Sequence, residues 1–109
     1  MNCSEKDKIE LKYIQDTLYV INGKLKMLIM ASMINGNKRY RDIARSIPKI
    51  TFRMLSKELK EMELNKLVTR TVYDEIPVTV EYEVTEYCKT LFPILHEMIK
   101  WAKHHRTVI

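Results

Sequence analysis

Phe52, Arg53, Ser56, Lys57 and Lys60 follow one another at steps of one, three, one and three residues. On a helix this spacing gathers them on one continuous face, and Leu55, Leu59 and Met62 take the opposite one. The first face is polar and mostly cationic, and the chemistry open to it is recognition of a polyanion. Arginine offers the most specific contact there. A guanidinium donates two parallel hydrogen bonds to O6 and N7 of guanine, worth roughly 1–3 kcal/mol of discrimination between bases. Arg53, close to the start of the helix, is expected to touch a base or a phosphate. Thr51, Ser56 and Lys57 are expected at phosphates, where contacts set register without reading sequence. Phe52 is out of place on such a face. It can meet a thymine methyl or tuck against the preceding helix, and packing is the preferred reading.

Charge points to the same stretch. Lys38, Arg39, Arg41, Arg45, Lys49, Arg53, Lys57 and Lys60 are opposed only by Asp42 and Glu58, whereas the formal charge of the whole chain is +5. The positive excess therefore lies in about a quarter of the sequence and the remainder is close to neutral. Arg39 and Arg41 are expected to flank a phosphate backbone. Arg70 is the cation of a later strand segment. Asp74 and Glu75, in the turn that follows, would repel phosphate, so any docking there runs through Arg70 and backbone amides.

Other reactive chemistry finds little support. No nucleophile–base pair, phosphate-binding loop or carboxylate pair has recognisable spacing, so an enzymatic reading has nothing to rest on. His96 and His104 lie two turns apart with His105 following, too dispersed for a metal site, and no cofactor is implied. Cys3 and Cys88 are too few for a disulfide framework. Cys3 is a candidate redox thiol, with Lys6 and Lys8 nearby to favour the thiolate, although a silent surface cysteine is the simpler reading. Cys88 falls on an apolar stripe and is expected to be inert. Met1 to Lys8 is polar and charged rather than signal-like, and the longest apolar run, Met27 to Ala31, cannot cross a bilayer. A cytoplasmic protein with no membrane partner is expected.

The elements that must position the cationic face follow from periodicity. A first helix is predicted over about Ile9 to Ile21, with Leu11, Ile14, Leu18 and Ile21 on one stripe, ended by Asn22-Gly23. A second, about Lys24 to Met33, is apolar nearly all round and must be central or packed on both sides. A third, Tyr40 to Ser46, sets Tyr40, Ile43, Ala44 and Ile47 at helical spacing before Pro48 forbids continuation. Thr51 can cap the fourth. From Val68 the period changes to two, and the runs Val68–Tyr73 and Thr79–Val84 flank Asp74-Glu75-Ile76-Pro77 as a hairpin. Thr85 can cap a last helix, about Glu86 to His104, with Cys88, Leu91, Phe92, Leu95, Met98, Ile99 and Ala102 on its stripe and a kink at Pro93.

Two short helices, the second basic, followed by a hairpin make up a winged helix-turn-helix. The fold class is mainly α with a β-hairpin wing (α+β), as a single domain over 1–109: helix-turn-helix at 39–64, wing at 68–84, and a C-terminal dimerisation helix at 86–104. The apolar stripes of the terminal helices exceed what one small domain covers easily. Leu11, Ile14, Leu18, Ile21, Leu91, Phe92, Leu95, Met98, Ile99 and Trp101 are thus expected in a homodimer interface. An intramolecular pairing of these two helices is the alternative.

The chain resembles the HxlR family of bacterial winged-helix regulators. The likeness rests on an ordered series: residues 22–29 (NGKLKMLI), 38–43 (KRYRDI), 47–56 (IPKITFRMLS), 59–63 (LKEME), 77–86 (PVTVEYEVTE) and 91–95 (LFPIL). It implies a dimer joined through the first and last helices, with each recognition helix in a major groove of double-stranded DNA and each wing along the backbone or minor groove. Some members respond to electrophiles or oxidants through an N-terminal cysteine. Counting back from Gly23-Lys24 puts Lys12 at that place, so redox sensing does not transfer, and no small-molecule or electrophile inducer is supported by the residues. The family's usual tryptophan is Leu25 here, and its usual glycine is Cys88. The competing class is a winged helix that binds a partner protein, which calls for an apolar, uncharged fourth-helix face.

Overall fold

The computed structural model describes residues 8–21 and 23–109. The order of elements is α1 (Leu11–Ile21), α2 (Leu25–Ile34), α3 (Tyr40–Ser46), α4 (Phe52–Leu64), β1 (Val68–Tyr73), β2 (Thr79–Val84), α5 (Glu86–Lys89) and α6 (Phe92–Val108). It is a winged helix-turn-helix, mainly helical with a two-stranded wing.

The near-uniform apolarity of α2 makes it the central element, and Met27, Ile29, Met30 and Met33 are buried along it. Ile43 from α3 and Leu55, Leu59 and Met62 from α4 close over it with no solvent exposure. Each such side chain contributes roughly 1.5–3 kcal/mol by leaving water. Leu67, Val68, Tyr82, Cys88 and Leu95 complete the core from the hairpin and the C-terminal helices.

Local chemistry sets the helix ends. Thr51 Oγ1 accepts a hydrogen bond from Met54 N at 3.1 Å and starts α4. At the other end Leu67 N donates to Met62 O at 2.9 Å and Lys66 N to Glu63 O at 3.0 Å. Lys66 itself is left-handed at φ 63°. This is a Schellman arrangement, and Met62 and Leu67, both buried, supply its apolar contact.

The strands pair antiparallel from Val68↔Val84 to Tyr73↔Thr79. Periodicity does not show what lies along the other edge of β2. Tyr82 N donates to Lys38 O at 2.8 Å, Arg39 forms a bridge with Glu81, and Lys38 Nζ pairs with Glu83 at 3.2 Å. The segment before α3 therefore serves as a short third strand. A two-stranded ribbon is marginal alone in water, so this pairing helps to fix the wing against the helix-turn-helix.

The last helix differs from expectation. It is two helices, α5 and α6, separated at Thr90-Leu91, with α6 running on to Val108. Pro93 lies in the first turn of α6, where its missing N–H is not needed. Thr90 N and Leu91 N instead bond to Tyr87 O and Cys88 O, the tighter pattern of a terminating helix. Thr85 caps α5 as predicted, accepting from Cys88 N at 3.0 Å.

α1 buries none of its residues, and most of the described length of α6 is also exposed. The molecule measures 63 × 31 × 22 Å with a radius of gyration of 16.8 Å. A compact chain of this length has a radius near 13 Å. No single helix among the described residues is long and apolar enough to cross a membrane.

Candidate nucleic-acid interface

The face of α4 away from the core carries Phe52, Arg53, Ser56, Lys57 and Lys60, all exposed, while Leu55, Leu59 and Met62 hold the helix down. The alternation arises because the apolar residues recur every three or four positions and pin one side of the helix to α2. Phe52 is 64% exposed although its ring lies 5.8 Å from that of Tyr40. It therefore packs at a tilt of 38° against Tyr40 of α3 and still presents most of its surface outward.

Tyr40 holds the two helices of the motif together. Its hydroxyl donates to Phe52 O at 2.8 Å and shares a 2.7 Å hydrogen bond with Ser56 Oγ. Its helical spacing marked it as a packing residue, and nothing local announced the phenol's partners, which are 12 and 16 residues away. Ser56, expected at a phosphate, already has this partner within the protein.

Arg39, Arg41 and Arg70 are exposed. They come from three separate segments, yet the wing folds back so that all three line one cleft of about 420 Å³ with Tyr40, Ser56 and Tyr82. Arg70 stands opposite Tyr82 in the ladder. Burial pushes the Tyr82 phenol pKa up, and the nearby Arg70 guanidinium only partly offsets this. A second groove, lined by Tyr40, Arg41, Ala44, Arg45, Ile50 and Phe52, runs between α3 and α4. Thr51 is engaged through its hydroxyl in capping. Asp74 and Glu75 lie in the exposed wing turn.

A buried ion cluster lies behind the cationic face. Lys26 on α2 is almost fully covered and pairs with Glu58 at 2.7 Å and Glu61 at 2.6 Å, both on α4. Burial pulls the Lys26 pKa down, but hydrogen bonds from its ammonium to the two carboxylates outweigh this and leave it above the ordinary lysine value. The hydrogen bond from Lys26 holds Glu61 below the ordinary carboxylate range, with a smaller contribution from Lys57. Glu58 and Glu61 are thus countered from behind, whereas Glu63, the third acid of α4, is exposed. A lysine in a helix reads as surface by type, so composition alone did not reveal this arrangement.

Residues predicted for a dimer interface divide into three groups. Leu11, Ile14, Leu18, Met98, Ile99 and Trp101 are exposed. Ile21, Leu91 and Phe92 are half-buried against the core. Leu95 departs from expectation: it is buried in the chain's own core and cannot belong to an exposed strip. The Trp101 indole stacks on His105 at 4.8 Å within α6. Cys88 is fully buried and its thiol pKa is raised by that burial. Cys3 lies outside the described residues. Among the described residues no cluster of three or more histidine, cysteine or acidic side chains could hold a metal ion.

Residues 20–108 match the family model described as HxlR-like helix-turn-helix. The chain is 42% identical over 96 residues to the HTH-type transcriptional regulator YybR of Bacillus subtilis, covering 88% of this chain and 77% of that protein. It is 38% identical over 101 residues to the HTH-type transcriptional regulator YtcD of the same organism, covering 93% and 79%. Among solved structures, the redox regulator HypR in its reduced form superposes with a TM-score of 0.82 at 42% identity, covering 88% of this chain and 95% of that one.

Proposed function

The chain belongs to the HxlR-like helix-turn-helix family and is a transcriptional regulator of helix-turn-helix type; from that premise we propose that it acts in the cytoplasm as a homodimer on a two-fold symmetric DNA operator. The observation that carries this reading is the uncovered α4 face, on which Arg53, Lys57 and Lys60 stand together beside the three-arginine cleft. A helix of this kind fits the major groove of B-DNA. Arg53 reads a base, while Lys57 and Lys60 meet phosphates. Arg39, Arg41 and Arg70 clasp the backbone where the wing approaches it. Thr51 and Ser56 support this surface through the cap and the Tyr40 contact. Phe52 has enough free surface to meet a thymine methyl.

Two copies are joined through the exposed stripes of α1 and α6, which supply the apolar area that a partner must cover. Half-sites then lie about 34–36 Å apart, one turn of DNA, or a multiple of that. A partner-protein role for the α4 face is disfavoured by its charge. Redox control, stated in the name of HypR, is not extended to this chain: Lys12 stands where the sensor is expected, and Cys88 is sealed in the core. A mobility-shift experiment on the promoter beside the protein's own gene, at two salt concentrations, tests the reading. A shift that weakens steeply with salt supports it. No shift at low salt overturns it.

A further inference from the structure

The turn that joins α3 to α4 is closed by Ile50 N donating to Ile47 O at 3.4 Å, and its third residue, Lys49, has φ 63°. Pro48 at the second position and a left-handed residue at the third form the type II pattern, which favours glycine or asparagine at the third place. A side chain there crowds the neighbouring carbonyl. The chain instead places a long cation at that position, exposed to solvent, two residues before the Thr51 cap. The turn and the cap together fix the backbone on either side of it.

Only one other described non-glycine residue has a positive φ, and it is Lys66, also at 63°. It is exposed as well. The two lysines share residue type, charge and backbone conformation, and differ in place. Lys49 stands in the turn just before the N-terminal end of α4, four residues ahead of Arg53. Lys66 lies past the C-terminal end of this 13-residue helix, about 20 Å further along its axis. The N-terminal end carries the positive pole of the helix dipole and free N–H groups, which favour an anion nearby.

We infer that Lys49 is a phosphate contact: its ammonium takes one DNA phosphate at the edge of the groove that α4 enters. This rests on the DNA-binding reading above and adds to it a residue outside the helical stripe. The contact is with backbone and carries no base preference.

The test compares the full-length protein with its Lys49→Gly, Lys49→Arg and Lys66→Gly variants. Binding is measured by fluorescence anisotropy from 50 to 200 mM salt, on a labelled duplex selected from a random pool and on a scrambled duplex of equal length. Lys49→Gly is expected to weaken binding by a similar factor on both duplexes. Its log–log salt slope becomes shallower by about 0.9, so its deficit narrows about 3.5-fold over that range. Lys49→Arg keeps the wild-type slope. Lys66→Gly keeps both slope and affinity. Both glycine variants melt no lower than wild type, because the left-handed residue is relieved.

A wild-type slope for Lys49→Gly, or an equal change in Lys66→Gly, overturns the inference and leaves the DNA-binding reading intact. Absence of binding by the wild-type protein to either duplex at 50 mM salt overturns that reading and takes the inference with it.

Discussion

Arg53 and Lys57 stand one turn apart on the exposed side of α4, but their head groups differ in kind. A planar guanidinium can match two acceptors on one base, whereas an ammonium is a mobile point charge suited to phosphate. Arg53→Ala is therefore expected to lose roughly ten- to a hundredfold in affinity for a selected operator and much less on scrambled DNA. Lys57→Ala should weaken both duplexes alike. Quantitative gel shifts on the two duplexes distinguish these outcomes, and an equal loss on both for Arg53→Ala would remove its base-reading role. Tyr40 acts one step behind this surface. Tyr40→Phe keeps the ring against Phe52 but deletes the hydrogen bonds to Phe52 O and Ser56 Oγ. Its expected cost is about 0.5–1.5 kcal/mol in urea unfolding, accompanied by weaker DNA binding because α4 is less firmly held to α3.

Among the elements, the coupling of α2 to α4 through Lys26 deserves a separate test because its charges are removed from water. Glu58 is nearly covered and Glu61 is partly exposed. Taking away Lys26 alone leaves Glu58 facing the core side without its cation. Lys26→Met is expected to cost about 3–5 kcal/mol, the range for breaking a buried pair from one side. The combined Lys26→Met, Glu58→Gln, Glu61→Gln variant should recover much of this loss, since no unpaired charge remains. Chemical denaturation of both variants decides whether the bridge or merely the lysine's bulk matters.

The same bridge gives a pH dependence. The Lys26 pKa is raised, so its contribution is present below the ordinary lysine value of 10.5 and is lost as pH climbs through the raised one. Glu61 is lowered, so its contribution is present above the ordinary value of 4.5 and is lost as pH falls through the lowered one. The stabilisation is thus complete between those limits. The triple variant should show a flatter stability profile at both extremes, measured by thermal melting across pH.

For the whole molecule, shape and surface lead to the same expectation. The radius of gyration exceeds that of a compact chain because α1 and α6 carry apolar side chains beyond the core. In the homodimer reading these stripes meet each other. Leu18→Glu combined with Ile99→Glu should give a monomer by sedimentation velocity, with the isolated fold retained by circular dichroism. Its operator affinity should drop steeply, because one half-site is left unused and the two contacts no longer reinforce each other. A doubly substituted protein that remains dimeric would place the interface elsewhere.

The sequence by itself determined the elements and their order. Apolar residues three or four apart wrote the helices, and alternation from Val68 wrote the wing. Thr51 and Thr85 marked two helix starts, and the ordered motifs pointed to the family. These are local signals, carried by neighbours along the chain, so a one-dimensional reading recovers them. The exposed cationic face of α4 was legible for the same reason, since one periodicity fixes both its buried and its open side.

Contacts between distant segments were decided only by the tertiary structure. It buried Lys26 against acids 32 and 35 residues away, turned the phenol of Tyr40 onto α4, and gathered Arg39, Arg41 and Arg70 around one cleft. It also drew Leu95 into the core and split the final helix at Thr90-Leu91, ahead of Pro93. Each depends on which surfaces meet through space. Residue type and spacing set what a side chain can do, but its partner is chosen by packing.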